Sequence, residues 1–598
     1  MIQQKQINVH GLEFTFSIES ANGAHLDLAL SAEAAADLPD TSLLRFSAQA
    51  RSGEPFVVRD LSITWSVPAI DMHGWYSGPP APDELVKLPY WWIRKQVGAN
   101  SGFPFISLFH RGGANRFAFG LLDQLTETAL DGELVEATRS YSFHWHKPIG
   151  QAQLSAKRWQ ETLFISAARC PWAEVLRAYI GAVDLAWPQP RLPVPRSSYD
   201  PVFCSWTAIH HDVSQEWVTR NARRAAELGF GTWLTDDGWF TGKASFADYR
   251  YTGDWQPDRL KFPDFAGHVR EVRELGLRYV LWVAPFMVGD ASQAARQHAH
   301  LLTEATTPMR FRNLSPRRAE TRQVVGDLLE RLMRDYGLDG LKIDFLDALA
   351  LDNLVSTDSD YPTLGAGIYD ILSAAIARAC AIRPDALIEF RNSYTNLASR
   401  HYANLYRASD VPINFAMNRW QVTMLRLLAP DRAVHLDPAL WHPGDSDENV
   451  AVHLINMICS VPMVSIELDR YPQAHLDLIR YWIGFYNAHR NTIIHGHFAP
   501  EIRLGHVPLI RFSGDSERII GVYDDVAFAP GAGALPLWIL NASTRPFVEL
   551  LPDERSGPYS VCTRDKFGHM VGRHTVMLPA RSLPVEVGGS LEVCSSIE

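Results

Sequence analysis

The sequence predicts a multidomain α/β protein built around a (β/α)8 barrel of the TIM type, with a β-rich domain on either side. Three observations predict it. From about residue 198, eight short apolar runs mostly alternate with longer amphipathic stretches. Such strands with helical crossovers form a parallel sheet covered on both faces, and eight of them close naturally into a barrel. Second, four prolines in the nine residues Trp187 to Pro195 exclude regular structure and mark a linker. Third, short alternating runs bounded by Gly, Asp, Asn and Pro occupy the chain before that linker and return after about residue 505. The expected domains are 1–195, 196–503 and 504–598, the last a β-sandwich. A doubly wound open sheet is the competing fold, but no G-x-G-x-x-G follows the first strand.

In the first domain, Leu12 to Ser17 and Phe56 to Val58 are typical strand runs. In the second, strands are expected at Val202–Trp206, Gly231–Thr235, Leu277–Val283, Leu341–Ile343, Ala386–Phe390, Leu405–Arg407, Ala433–Leu436 and Val461–Ser465. Helical spacing covers Ser214 to Leu228, with Ser214 as N-cap and Gly229 as stop. It also covers Phe265 to Leu275, Arg318 to Tyr336 and Ile368 to Ala381. Strands resume at Val507–Phe512, Ile519–Tyr523 and Leu537–Leu540.

Composition narrows the function. Of 598 residues, 46% are hydrophobic and 21% charged, the balance of a globular protein. A net charge of −11 without a long Lys/Arg run argues against nucleic-acid or anionic-membrane partners. No apolar leader, no eighteen-residue apolar window and no CxxC pair among six scattered cysteines point to a cytoplasmic chain with reduced thiols. No His/carboxylate set at metal-ligand spacing stands out, so neither a metal nor a cofactor is expected. The 18 tryptophans suit sugar stacking as well as β cores.

Barrel enzymes carry their chemistry just past the strand C-termini. Asp236-Asp237-Gly238-Trp239 follows the second expected strand, Asp344 the fourth, and Ala408-Ser409-Asp410 the sixth. Parallel strands bring these ends to one face. Two carboxylates across a cleft suit glycoside cleavage, one as nucleophile or water activator, the other as proton donor. Lys342 projects to the same strand face as Asp344 and holds its pKa down. The proton donor is expected to be less well paired, with a higher pKa.

Asp236-Asp237-Gly238-Trp239-Phe240, Gly253-Asp254-Trp255, Lys261-Phe262-Pro263 and Leu341-Lys342-Ile343-Asp344, in this order, resemble glycoside hydrolase family 36. This α-galactosidase family is related to families 27 and 31. The resemblance covers about 200–425 and implies an N-terminal β-supersandwich. It also implies a retaining, metal-independent, exo-acting α-glycosidase acting on α-linked oligosaccharides or glycosides, with a homo-oligomer possible. It implies Asp344 as nucleophile, Ile343 replacing the family's Trp, and Asp410 as acid/base. Asp236 and Asp237 would bind hydroxyls of the −1 sugar, Lys342 would contact the ring, and Trp255 would form an aromatic wall. Trp206, Trp239, Arg391 and Asn392 complete the expected sugar-binding set.

Two segments depart from the family. Its Cys- and Gly-rich stretch after the fifth strand is here Arg391-Asn392-Ser393, and the Pro-Glu after the third is Pro285-Phe286. Both lie where substrate is chosen, so a different α-linked sugar (N-acetylgalactosamine, glucose, xylose, a 6-deoxy, L-configured or acidic sugar), a transglycosylase, or a sugar-binding protein without catalysis stay open. His210, His211, His298 and His300 are expected to be solvated or capping residues. Trp75, Tyr76, Tyr90, Trp91 and Trp92 either roof the site or pack a domain interface, and Trp441 is a candidate cleft residue.

Overall fold

The computed structural model describes residues 1–35, 38–78, 92–147, 154–240, 248–304, 307–349, 359–503, 506–533, 535–552, 557–578 and 582–595. Tyr90 and Trp91 lie outside them.

The N-terminal domain is a large antiparallel sandwich of a seven-stranded and a six-stranded sheet. Its core comes from alternate residues of facing strands, among them Phe14, Phe16, Phe46, Trp65, Phe119 and Phe143. Reading residues 1–195 as strands alone overlooks one helix, Trp172–Ala186. Its buried residues, Trp172, Val175, Leu176, Tyr179, Ile180 and Val183, follow helical spacing. The prolines up to Pro195 keep the linker free of regular structure. Leu192 ties it to the barrel, its N–H donating to the Arg400 carbonyl and its carbonyl accepting from Arg432.

The eight barrel strands are β1 (Val202–Cys204), β2 (Thr232–Thr235), β3 (Arg278–Val283), β4 (Gly340–Ile343), β5 (Leu387–Arg391), β6 (Leu405–Arg407), β7 (Ala433–His435) and β8 (Met463–Val464). Each pairs in parallel with its neighbour, and β8 pairs with β1. Single bridges, His435 to Val461 and Ala439 to Val464, join β7 to the β8 side and nearly close the ring. The expected helices are present, among them Gln215–Glu227 with the Ser214 hydroxyl accepting from the Trp217 N–H as N-cap. Helix Leu364–Ile382 has the length and apolar composition to cross a membrane, yet it is the crossover between β4 and β5 and packs on helix Ala319–Tyr336.

The C-terminal domain is a seven-stranded sheet with a three-stranded partner. It begins with the strand His497–Arg503, ahead of the expected boundary at 504. That strand pairs with His506–Ser513, so the preceding residues already belong to the sheet.

Two buried imidazoles give the fold an acid sensitivity. His268 and His453, 1% and 2% exposed, sit among aromatic rings, and burial pushes the pKa of each down to about 4. The unfolded chain takes up a proton at each near pH ~6.5, whereas the folded chain resists down to about pH 4. Their contribution is therefore intact above that range and declines as pH falls through it, by about 3 kcal/mol per group. Urea unfolding of His453→Gln is expected to show a smaller loss of stability between pH 6.5 and 4 than the parent chain; equal losses refute the assignment.

Candidate functional site

A cleft of about 300 Å³ opens at the C-terminal ends of the barrel strands. Its lining includes Asp236 and Asp237 after β2, Lys342 on β4 with Asp344 after it, Arg391 at the end of β5, Asp410 after β6, and Trp206 after β1. The carboxylates that the sequence placed at three strand ends do converge.

The turn after β2 is fixed from several directions. Asp236 accepts from the Asp237 N–H at 2.9 Å and from Lys342 Nζ at 2.6 Å. Desolvation is the strongest single influence on the Lys342 ammonium and lowers its pKa, but Asp236 and Asp344 together hold it above the ordinary lysine value. Asp237 Oδ2 accepts from the Tyr249 hydroxyl at 2.8 Å and meets His211 Nε2 at 3.0 Å. Its Oδ1 is buried and, among the described residues, has no hydrogen-bond partner, an acceptor for a ligand hydroxyl. Gly238 turns the chain at φ 104°, where a Cβ would lie 2.6 Å from the His211 Cα. Lys261 Nζ donates to the Gly238 carbonyl at 2.8 Å and also to that of His211, which gives the Lys-Phe-Pro segment its structural job.

Asp344 is held from both sides. Trp282 Nε1 donates to Oδ2 at 2.9 Å, and the Phe345 N–H donates to Oδ1 at 2.7 Å. Tyr394 adds a longer contact to Oδ1 at 3.3 Å. Phe345 adopts φ 58°, rare for a bulky residue, and so places its N–H on the preceding carboxylate. Burial raises the Asp344 pKa; the Arg391 guanidinium, then Lys342 and the Trp282 and Phe345 donors, more than reverse this and leave it well below the usual carboxylate range. The expected cause, Lys342, is secondary at 3.9 Å.

Arg391 is the hub of the cleft. It lies 3.9 Å from Asp344, 2.8 Å from Asp347 and 3.2 Å from Asp410. Asp410, its side chain 55% exposed, also meets Arg407 at 3.2 Å. Burial raises the Asp410 pKa, but Arg407 and Arg391 bring it below the ordinary value. The expectation of a poorly paired proton donor therefore fails for the free site, because two guanidinium groups reach it. Arg407 also bonds Asp437, whose Oδ2 accepts from the Val411 N–H at 2.7 Å.

Three expected sugar contacts do not line the cleft. Trp239 is fully buried, with its indole N–H on the Trp282 carbonyl. Trp255, 2% exposed, packs behind Trp282 at 5.8 Å, and Asn392 is fully buried. The wall is instead Trp282 itself, on β3, with Trp206, Tyr249 and Phe345. Trp282 was hidden inside an apolar strand run; alternation along β3 was the signal that would have found it. His210 lines the cleft and His211 holds Asp237, correcting their solvated or capping assignment. His300 does pair outward, with Glu320 at 3.0 Å. Trp441 is buried against His475 and stays out of the cleft, while Trp75 and Tyr76 pack within the first domain, Tyr76 stacking on Trp172. The first domain reaches the site region differently. Asn100 donates to the carbonyls of Leu346 and Leu349 after β4, and Asn396 donates to those of Gly98 and Ala99.

Residues 196–371 match the Melibiase family model. The alignment to the α-galactosidase AgaA of Geobacillus stearothermophilus is 41% identical over 95 residues, 16% of this chain and 13% of that protein. The alignment to the bifunctional α-galactosidase/sucrose kinase AgaSK of Mediterraneibacter gnavus is 30% identical over 191 residues, 31% of this chain and 20% of that protein. Over these stretches the chain is similar to α-galactosidases. A solved structure of a variant of the family 36 α-galactosidase AgaA from Geobacillus stearothermophilus superposes on 99% of this chain and 86% of its own, with a TM-score of 0.64 at 15% identity, which shows the shared fold. The aligned sequence stretches span a fifth or less of these two curated relatives.

Gly238 separates steric from conformational cost. Gly276, at φ 89°, has open space where its Cβ would be. Gly276→Ala is expected to cost about 1 kcal/mol, the price of the backbone region alone, and Gly238→Ala about 2–3 kcal/mol. Urea unfolding of both variants measures the difference, and equal losses refute the packing role of the turn.

Proposed function

We propose that the protein is a retaining, exo-acting α-glycosidase of the α-galactosidase type. The single observation that carries this reading is an enclosed Asp344, flanked by Arg391 and Lys342, and a more exposed Asp410 facing one cleft of about 300 Å³. Asp344 attacks the anomeric carbon as the bond to the leaving oxygen breaks and Asp410 gives that oxygen its proton. Water then attacks the same carbon, Asp410 takes its proton, and the bond to Asp344 breaks. Asp437 is the rival donor, since burial pushes its pKa up to about 7. It is only 2% exposed, and Arg407 and the Val411 N–H engage its two oxygens, so Asp410 is the accessible group.

The described lining supports a neutral sugar. Five carboxylates (Asp236, Asp237, Asp344, Asp410, Asp437) face three cations (Lys342, Arg391, Arg407), a balance that accepts donors from hydroxyls and repels an acidic substituent. Variants of AgaA have been solved in complex with 1-deoxygalactonojirimycin and with raffinose, which supports an α-galactoside or α-linked oligosaccharide substrate here. Arg391, where the family carries small residues, supports a second reading in which the same chemistry acts on another neutral α-linked sugar.

A panel of aryl α-glycosides tests substrate, and galactoside is expected to dominate. Asp344→Asn is expected to lose about 10⁴-fold or more in kcat. Roles follow from azide: Asp344→Gly is expected to give the β-glycosyl azide and Asp410→Gly the α-glycosyl azide. Turnover near the parent rate in Asp344→Asn, or the opposite azide anomers, sinks the assignment.

Arg391→Gln removes a cation beside both carboxylates, so their pKa values rise. The kcat/KM profile is expected to move about one unit toward higher pH. An unmoved profile refutes the hub role of Arg391.

A further inference from the structure

We propose that the outer face of the N-terminal sandwich carries a divalent transition-metal site formed by Asp131, His144 and His146. The two histidines lie on the strand Ser140–Lys147, two residues apart, so both project from one face of the sheet. Phe143 and Trp145 beside them point the other way into the core, 0% and 2% exposed, which fixes that choice of face. Asp131, on the neighbouring strand Thr128–Val135, is the direct cross-strand partner of His144. Three ligand atoms, one from each residue, lie within 4.8 Å of one another.

The chemistry of the set selects the ion. Two imidazoles and a carboxylate suit Zn²⁺ and its transition-metal neighbours, whereas Ca²⁺ and Mg²⁺ prefer all-oxygen shells. Ligands on a tetrahedral ion with bonds of ~2.0–2.1 Å stand roughly 3.4 Å apart, so small side-chain rotations complete the site. The rings already lie near parallel, with centroids 5.1 Å apart and planes 21° apart. His146 Nδ1 is shielded from solvent and, among the described residues, has no hydrogen-bond partner, a polar atom still to be satisfied. The Asp60 carboxylate also acts on His144, adding negative charge nearby. Arg94 is the opposing cation, 3.8 Å from Asp131, but both side chains are more than half exposed and the pair is weak. A bound ion clips two strands of one hairpin and leaves a coordination position open to water. None of the three residues lines the barrel cleft, so the site acts on the stability of the first domain and not on turnover.

The test uses the full chain without a histidine tag, stripped of metal by chelator and titrated calorimetrically with Zn²⁺ at pH 7.5 in a non-coordinating buffer. Saturable one-to-one binding is expected, accompanied by a rise in Tm. The His144→Ala/His146→Ala double variant is expected to bind about 100-fold more weakly or not at all. Asp131→Asn is expected to bind about tenfold more weakly. Both variants are expected to keep parent circular dichroism and parent rates on an aryl α-galactoside. A titration without saturation in the parent chain overturns the proposal. So does a folded double variant that binds as the parent does.

Discussion

Like charges do not share a poorly solvated cleft unless cations are interleaved with them, and that constraint organises the site. Parallel strands end on one face, so the barrel brings Asp236, Asp237, Asp344, Asp410 and Asp437 together. Three cations make this arrangement tolerable. Lys342 bonds Asp236 at 2.6 Å, Arg407 bonds Asp437 and Asp410, and Arg391 spans Asp344, Asp347 and Asp410. Each cation comes from a strand end or the strand itself, so the same geometry that creates the repulsion also supplies its compensation.

The wall behind these charges is aromatic and rigid. Trp282 presents its indole N–H to Asp344, while Phe240 and Trp255 pack around its ring. Trp239 lies behind them with its indole N–H on the Trp282 carbonyl. Trp239 and Trp255 thus serve the site one layer back, by fixing the residue that touches the carboxylate. The flanking domain adds a similar service through Asn100 and Asn396, which tie the loops after β4 and β5 to the first sandwich. Backbone strain at Phe345, which lines the cleft with positive φ, is held in place by its edge contact with the Trp282 ring.

Periodicity made most of the fold legible. Alternating strand and helix runs marked the barrel, and the proline cluster marked its start. The helix Trp172–Ala186 was equally legible in its apolar spacing but was masked by the strand-rich grammar around it. The C-terminal boundary was less so, because His497–Arg503 is a sparsely buried strand without a strong apolar run. At the site, charged residues at strand ends stood out against apolar neighbours, which is why Asp236, Asp237, Lys342, Asp344, Arg391 and Asp410 were all found. Trp282, Tyr249 and His211 were not, since a tryptophan in a strand and residues on loops carry no local sign of what they face.

The sequence by itself determined the element types, the barrel, and the identity of the acidic groups at the strand ends, because these depend on local period and on which residues follow each strand. The tertiary structure alone decided which tryptophan is the wall and which is its support, since that depends on packing depth and not on residue type. It also decided the charge state of the cleft. Whether Asp410 stands alone or between two guanidinium groups is set by how β5 and β6 lie side by side, and Arg391 reaches Asp410 from 19 positions away in the chain.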